Sequence, residues 1–362
     1  MGTRHIDSDS ADVNNRKRLQ NESKAGSSVA KLRDIAASAG VTIATASRSL
    51  SGAYGVNAAT RERVLEVAAR LHYRPNRFAR GLVTGRSQII GLIISDIRNP
   101  FFADVARGAE DAAFAAGSDV VLCNSDLNSE RQKRYIHSLM EKNVDGIIMN
   151  SITALDRPEQ NRLAESGVPV VLLNSHERNS PFSTVLADNV RGGWLAAEYL
   201  SNLGHRRFAH LSGPGRHGNL SMRAKGFLQY LRKPGSNASA SVLHGGHTFE
   251  GGYEVARKLL LDRNEITAIF AANDAMAFGV LKAAIELGVR IPEDVSLVGF
   301  DDVELASIAH PPLTTIHQAK YELGQAAVDM LLAARSGKQT APEHRVLGVH
   351  LVERKSAAKV RS

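Results

Sequence analysis

Thr42, Thr45, Ser47 and Arg48 fall within one short stretch, Thr42-Ile43-Ala44-Thr45-Ala46-Ser47-Arg48. Hydroxyls suit phosphate oxygens, and a guanidinium can pair bidentately with the O6 and N7 edge of guanine. A second set of polar residues, Ser95, Asn124, Asn150, Asn174, Asn273 and Asp301, stands at the carboxyl ends of six apolar runs. Side chains of these types can hold several hydroxyls of a small polar ligand, or they can be ordinary helix caps and turns. Other chemistries lack their signatures: there is no zinc-ligand spacing, no P-loop and no nucleophile elbow. Gly213-Pro214-Gly215-Arg216-His217-Gly218 is a literal G-x-G-x-x-G. A dinucleotide site also needs an acidic residue about 20 positions on, and no Asp or Glu occurs between residues 199 and 249. Pro292-Glu293-Asp294 and Asp301-Asp302 read as a turn and a ligand contact rather than as catalytic carboxylates. An enzyme is not expected, and no cofactor or metal is implied.

The first set needs a scaffold, and the surrounding pattern predicts one. Leu32, Ile35, Ala36 and Ala39 recur at helical spacing until Gly40 stops the run. A second short helix fits Thr42 to Leu50, with Thr42 as its cap. After the loop Ser51-Gly52-Ala53-Tyr54-Gly55, a third helix is predicted over Ala58 to Leu71. Asn57 is its cap, and Val64, Leu65, Val67, Ala68 and Leu71 face inward. Two helices joined by a tight glycine turn are either a helix-turn-helix, whose second helix reaches base edges, or a generic helical hairpin. Pro75 then interrupts the chain, and Asn76 to Leu82 has room for one or two helical turns.

The second set belongs to a different pattern. Ile89-Ile90-Gly91-Leu92-Ile93-Ile94 is an apolar run of the kind found in a strand buried on both faces. Further runs occur at 119–123, 146–149, 168–173, 207–211, 266–271 and 295–299, with helical stretches at 101–116, 129–142, 190–203, 250–262 and 275–287. The alternation predicts a parallel sheet covered by helices, divided into two similar halves, with ligands bound at the strands' carboxyl ends.

Charge divides the chain the same way. Residues 1–86 carry 15 Lys and Arg against 7 Asp and Glu, whereas the remaining residues balance at 30 of each. The net +8 of the whole chain therefore resides in its first part. That is the footprint of a module that meets a polyanion, or else a solvated basic face. The single cysteine, Cys123, excludes an intrachain disulfide, and its apolar neighbours make it a buried hydrophobe rather than a nucleophile. No signal peptide and no transmembrane run are expected, so the protein is expected in the cytoplasm. Residues 1–28 are polar and read as a disordered tail.

Taken in order, several motifs resemble the lactose/galactose repressor (lacI) family of bacterial regulators. They are Leu32-Arg33-Asp34-Ile35-Ala36, Ala39-Gly40-Val41-Thr42, Thr45-Ala46-Ser47-Arg48, Tyr73-Arg74-Pro75-Asn76, Asn99-Pro100-Phe101-Phe102, Val144-Asp145-Gly146-Ile147-Ile148, Val298-Gly299-Phe300-Asp301-Asp302 and Pro312-Leu313-Thr314-Thr315-Ile316. The resemblance covers about residues 30–356. It implies a helix-turn-helix domain (29–74), a hinge helix or linker (75–86), an effector-binding and dimerisation core (87–356) and a short tail (357–362). The core would be an α/β fold of the periplasmic-binding-protein type, two doubly wound subdomains joined by three crossing strands.

The same resemblance implies roles. Ile43, Ala44 and Arg48 would read bases of double-stranded operator DNA. Thr42, Thr45, Ser47, Tyr73 and Arg77 would grip its backbone. Leu82 would be the hinge helix's wedge into the minor groove, although a linker leucine covering the core is the alternative. Phe101, Phe102, Asn150, Asn174, Arg223, His247, Asn273 and Asp301 would contact a sugar-like effector, or serve singly as turns and caps. A homodimer or higher oligomer, without membrane association, is implied. Gly55 stands where family members often carry a basic or aromatic DNA contact, and His247 where they often carry Trp or Phe. Whether the effector releases the operator or strengthens its binding is not written in the sequence.

Overall fold

The computed structural model describes residues 30–73, 86–150, 155–175, 180–213, 218–262, 265–339 and 341–360. The chain divides into two compact units, residues 1–85 and 86–362. The tail at 1–28, most of the segment 75–86, and with it Arg77 and Leu82, lie outside the described residues.

The described part of the first unit is three helices, α1 (Leu32–Ala39), α2 (Ile43–Ser51) and α3 (Ala58–Arg70). Gly40 adopts a left-handed conformation (φ 64°) that lets the chain reverse between α1 and α2. Thr42 caps α2 by accepting the Thr45 N–H at 3.1 Å, and Asn57 caps α3 by accepting the Thr60 N–H at 2.7 Å. Ile35, Ala36, Ala39, Ala46, Val64, Val67 and Ala68 form the core, with Leu71 and Tyr73 at its margin. Leu65, expected to face inward, is 48% exposed. The inward face of α3 follows the i, i+3, i+4 set Val64, Val67 and Ala68, and Leu65 lies one helical step (~100°) away from it.

The second unit is built on two six-stranded sheets. The first holds β1 (Ile89–Ile94), β2 (Asp119–Asn124), β3 (Gly146–Asn150), β4 (Val170–Leu173), β5 (Ser183–Ala187) and β11 (His344–Leu347), in the order β11-β5-β4-β3-β1-β2. The second holds β6 (Arg207–Ser212), β7 (Ser239–His244), β8 (Ala268–Ala271), β9 (Ser296–Asp301), β10 (Thr314–Gln318) and β12 (Val349–Val352), in the order β12-β10-β9-β8-β6-β7. All pairings are parallel except β10 with β12. The two sheets repeat one winding, in which the first strand of each half lies between its second and third. The chain passes between the halves after β5, after β10 and between β11 and β12.

Helices α4 (Phe101–Ala115), α5 (Ser129–Glu141), α6 (Arg157–Glu165) and α12 (Lys320–Arg335) belong to the first half. Helices α7 (Asn189–Asn202), α8 (Asn219–Leu231), α9 (Phe249–Leu261), α10 (Asp274–Leu287) and the short α11 (Glu304–Ile308) belong to the second. Each half has apolar clusters over its sheet, one around Ile90, Leu92, Ile148 and Leu331, another around Leu211, Ile269, Val280 and Leu297. The expected architecture is present.

Several details differ from the sequence reading. Strand β2 is not buried on both faces: it is a sheet edge, and Val121 and Leu122 are exposed. Strands β5, β7, β10, β11 and β12 and helices α6, α8, α11 and α12 were not anticipated. Residues 357–360, expected as tail, continue the fold. Ala357 packs beside Phe208 and Phe270, and the Val360 N–H donates to the Leu203 carbonyl at 3.0 Å.

Candidate functional site

Two sites emerge, one in each unit. On the first, α2 presents Thr42, Ile43, Ala44 and Arg48 to solvent, with Ile43 55% exposed, while Ala46 and Ser49 face the core. Arg48 is held only lightly, its Nε donating to the Ala44 carbonyl at 3.4 Å. Thr45 is half-buried, and its hydroxyl lies 2.9 Å from that of Thr42. Ser47 and Tyr73 are half-buried as well, Tyr73 against the three-helix core. The loop after α2 is braced by Arg61, whose Nη2 donates to the Ala53 carbonyl at 2.6 Å. Beside that carbonyl, Tyr54 is fully exposed.

In the second unit a cleft of about 150 Å³ opens where the carboxyl ends of both sheets face each other. Strand order reverses at β1/β3 and at β6/β8, and those switch points are where doubly wound sheets leave a crevice. The first half contributes Ser95, Phe101, Phe102, Asn150 and Asn174; the second contributes Arg223, His247, Asn273, Asp301 and Gln318. All eight residues expected at an effector site are therefore brought together. Of the six polar strand ends, Asn124 is not among them: its Oδ1 accepts the Ile97 N–H at 3.1 Å and serves a turn.

Local structure positions each group. The Asn99 Oδ1 accepts the Phe101 N–H at 3.0 Å and starts α4, which sets the two rings edge to face, 5.0 Å apart, at the cleft wall. Asn150 donates to the Ser95 hydroxyl at 3.1 Å. Asn273 caps α10 through the Met276 N–H at 2.8 Å and donates to the His247 carbonyl at 3.0 Å, so much of its capacity is structural. A Cβ on Gly213 would lie 2.9 Å from the His247 ring. That glycine of the G-x-G-x-x-G string therefore makes room for an imidazole. Burial pushes the His247 pKa down, with Arg223 adding to it, so the site favours the uncharged ring.

Arg223 and Asp301 form the centre of the second-half wall. Arg223 donates to Asn189 Oδ1 at 2.8 Å, to the Ala272 carbonyl at 2.5 Å and to Asp301 Oδ1 at 3.3 Å, and its guanidinium lies 3.5 Å from the centre of the Phe300 ring. Asp301 Oδ1 also accepts from Gln318 Nε2 at 2.6 Å. Burial pulls the Asp301 pKa up, while Arg223 is the strongest opposing influence and favours the carboxylate. Among the described residues, two buried acceptors in this cleft have no hydrogen-bond partner, Asn174 Oδ1 and Gln318 Oε1. Buried acceptors left unpaired cost roughly 1–3 kcal/mol each, so this is a surface shaped to receive donors.

Residues 31–76 match the bacterial regulatory proteins of the lacI family, and residues 197–357 match a periplasmic binding protein-like domain. Catabolite control protein A of Priestia megaterium is 35% identical over 328 residues, 90% of this chain and 98% of that protein. The ribose operon repressor of Escherichia coli K12 is 33% identical over 332 residues, 91% of this chain and all of the relative. The chain belongs to the lacI family. Among solved structures, the lac repressor dimer bound to operator and the anti-inducer ONPF superposes with a TM-score of 0.81 at 32% identity, covering 91% of this chain and 99% of that one. A lacI family regulator from Enterococcus faecium with bound ribose gives 0.68 at 32% identity, over 75% of this chain and 100% of that one.

As a lacI family member the protein is a DNA-binding transcriptional regulator, with a helix-turn-helix unit and a ligand-binding type of core. Within this family frame, Gln318 was missed by sequence reasoning. It ends a strand whose Thr314-Thr315 pair is fully buried, and threonines do not stand out as an apolar run. Burial raises the thiol pKa of Cys123, consistent with an inert side chain. Among the described residues no cluster of His, Cys, Asp and Glu is placed to hold a metal ion, and no helix is long and apolar enough to cross a membrane.

Proposed function

We propose that this regulator binds a two-fold operator as a homodimer in the cytoplasm, and that a small neutral polyol in the cleft sets its DNA affinity. It acts by binding and catalyses no reaction. Ile43, Ala44 and Arg48 read bases from the major groove; Thr42, Thr45, Ser47 and Tyr73 take phosphates. Arg77 and Leu82 are assigned to the backbone and to a minor-groove step on the family resemblance alone. Phe101, Phe102, Asn150, Asn174, Arg223, His247, Asn273 and Asp301 take the effector, with Gln318 added.

The observation that carries the ligand reading is the pair of unpartnered acceptors, Asn174 Oδ1 and Gln318 Oε1, beside an ion pair that is already neutralised. Among the described residues, the other cation at the cleft, Arg98, is bound to Asp96 at 2.9 Å, and Glu250 adds negative charge at the lip. Two waiting acceptors and paired cations favour hydroxyl donors over a phosphate or carboxylate ligand. The cleft volume suits a molecule of about monosaccharide size, below the ~300–1,000 Å³ of drug-sized sites. The ribose-bound and ribose-operon relatives agree with this reading.

A thermal-shift screen of the purified protein against neutral monosaccharides, sugar phosphates, nucleosides and organic acids tests the cleft. Stabilisation by a neutral monosaccharide supports it, and stabilisation by anionic compounds alone overturns it. Operator selection followed by affinity measurements at two salt concentrations tests the DNA side. Several neutralised phosphates per subunit demand a steep loss of affinity with salt, and a flat response would exclude that mode.

A further inference from the structure

Helix α12 begins at the cleft and ends where the chain enters the second unit, and both of its ends are held by buried charge. At its start, Lys320 is almost wholly buried and its Nζ donates to the main-chain carbonyls of Asp301 (3.0 Å) and Asp302 (2.7 Å). Asp301 and Asp302 both have positive φ, 125° and 55°, conformations that L residues rarely adopt. Lys320 thus holds in place the backbone of a cleft residue that belongs to the other half. Its ammonium also lies 3.6 Å from the Asp104 carboxylate on α4.

At the other end, Arg335 is paired with the buried Asp145, which sits just before β3. The Asp145 carboxylate also accepts the Ser87 N–H (2.9 Å), the Ser87 hydroxyl (3.2 Å) and the Gln88 N–H (2.9 Å). Ser87 and Gln88 are the residues through which the chain leaves the 75–86 segment and enters β1.

Between these ends α12 cannot flex freely. A Cβ on Gly108 of α4 would lie 2.0 Å from the Tyr321 carbonyl, and one on Gly324 of α12 would lie 2.1 Å from the Val105 carbonyl. The two helices are therefore in backbone contact, each glycine opening the way for the other. Tyr321 adds a hydrogen bond to Asp111 at 3.0 Å. At the far end, Gly146 leaves space for Leu331, where a Cβ would come within 2.4 Å of its side chain. Sixteen helical residues span about 24 Å.

We propose that α12, locked onto α4, is a rigid strut that carries the state of the cleft to the start of β1, with Lys320 and Arg335 as its positioning residues. A packed helix moves as a body rather than deforming. A displacement of the Asp301–Asp302 backbone therefore arrives at Arg335 and alters the grip of Asp145 on Ser87 and Gln88. The direction of the signal rests on the effector reading of the cleft; the mechanical link does not.

Amide hydrogen exchange on the full-length protein tests the link without DNA or effector, so an error in the effector reading would not affect it. Lys320→Met and Arg335→Met are each expected to speed exchange at the Ser87 and Gln88 amides about tenfold or more, with amides of β6 and β8 unchanged. Arg335→Lys should restore most of the protection. If Lys320→Met leaves Ser87 and Gln88 as protected as in the wild type, the strut is refuted. Should Lys320→Met fail to fold, Arg335→Met gives the reverse reading. It must then loosen the Val303 amide beside the Lys320 site, and an unchanged Val303 amide overturns the proposal equally.

Discussion

Arg223 of α8 and Asp301 at the end of β9 meet at 3.3 Å with both side chains almost wholly out of solvent. The pair forms one wall of the cleft, so each charge depends on the other. Removing one partner of such a pair costs about 3–5 kcal/mol, because the survivor is left uncompensated. Arg223→Ala and Asp301→Ala are each expected to lose the ligand response and to melt lower. The double variant Arg223→Met with Asp301→Leu should regain much of the melting temperature but none of the ligand binding. Melting curves with and without a ligand found by the screen distinguish these results. Single variants that melt and respond as the wild type does would remove the pair from the site.

Arg48 is exposed on α2, and among the described residues its side chain makes one hydrogen bond, a long one to its own helix. Its guanidinium is therefore available to a base. Arg48→Ala should relax the preference for one guanine in each half-site, with a loss of ~1–3 kcal/mol of discrimination. Binding-site selection with the variant reads this directly. Unchanged preference with uniformly weaker affinity would assign Arg48 to phosphate instead.

Thr42 has a structural duty besides any contact with DNA, since its hydroxyl oxygen accepts the Thr45 N–H. Thr42→Ala should cost the first unit about 1 kcal/mol of stability through the lost cap. Thr42→Ser should keep both the cap and the DNA affinity. Denaturant unfolding followed by helix signal separates the two variants, and equal stability for Thr42→Ala would show that the cap is dispensable.

His210 on β6 is wholly buried in a cluster with the rings of Phe227 and Phe270, and its Nδ1 lies 2.9 Å from the Phe270 carbonyl. Burial pushes its pKa down to about 4 from the ordinary 6.5. In the folded state the ring therefore stays neutral where the unfolded chain would already bind a proton. Its stability contribution is complete above pH 6.5 and is lost as pH falls toward 4. The loss is on the order of 3 kcal/mol across that window. His210→Leu should flatten this part of the stability profile. Urea unfolding of both proteins between pH 7.5 and 4.5 measures the difference, and parallel profiles would mean that His210 does not contribute.

Much of this protein was legible because local patterns were strong. The α1 face, most of the α3 face, the caps at Thr42 and Asn57, and the apolar runs at 89–94 and 295–299 each follow from periodicity or from one side chain satisfying a helix end. The ordered motifs added the family and, through it, the list of cleft residues. Strands such as β5 and β10 escaped because their buried positions are filled by Ser183, Thr184, Thr314 and Thr315. Those hydroxyls are satisfied only once β11, helix α10 and the carboxyl-terminal segment are in place. Thr184 Oγ1, for example, lies 2.8 Å from His344 Nδ1, a residue 160 positions away in the chain.

The sequence by itself determined the strongly periodic helices and the most apolar strands, where the positive charge lies, and which polar residues end those strands. Only the tertiary structure decided which of those ends face one another. It separated Asn124, spent on a turn, from Asn150 and Asn174, and it added Gln318 and Lys320, which no local pattern marks. Strand-end side chains converge because two sheets with the same winding turn their carboxyl edges toward a common crevice. That arrangement depends on contacts between segments more than a hundred residues apart, and a one-dimensional pattern carries no record of such distances.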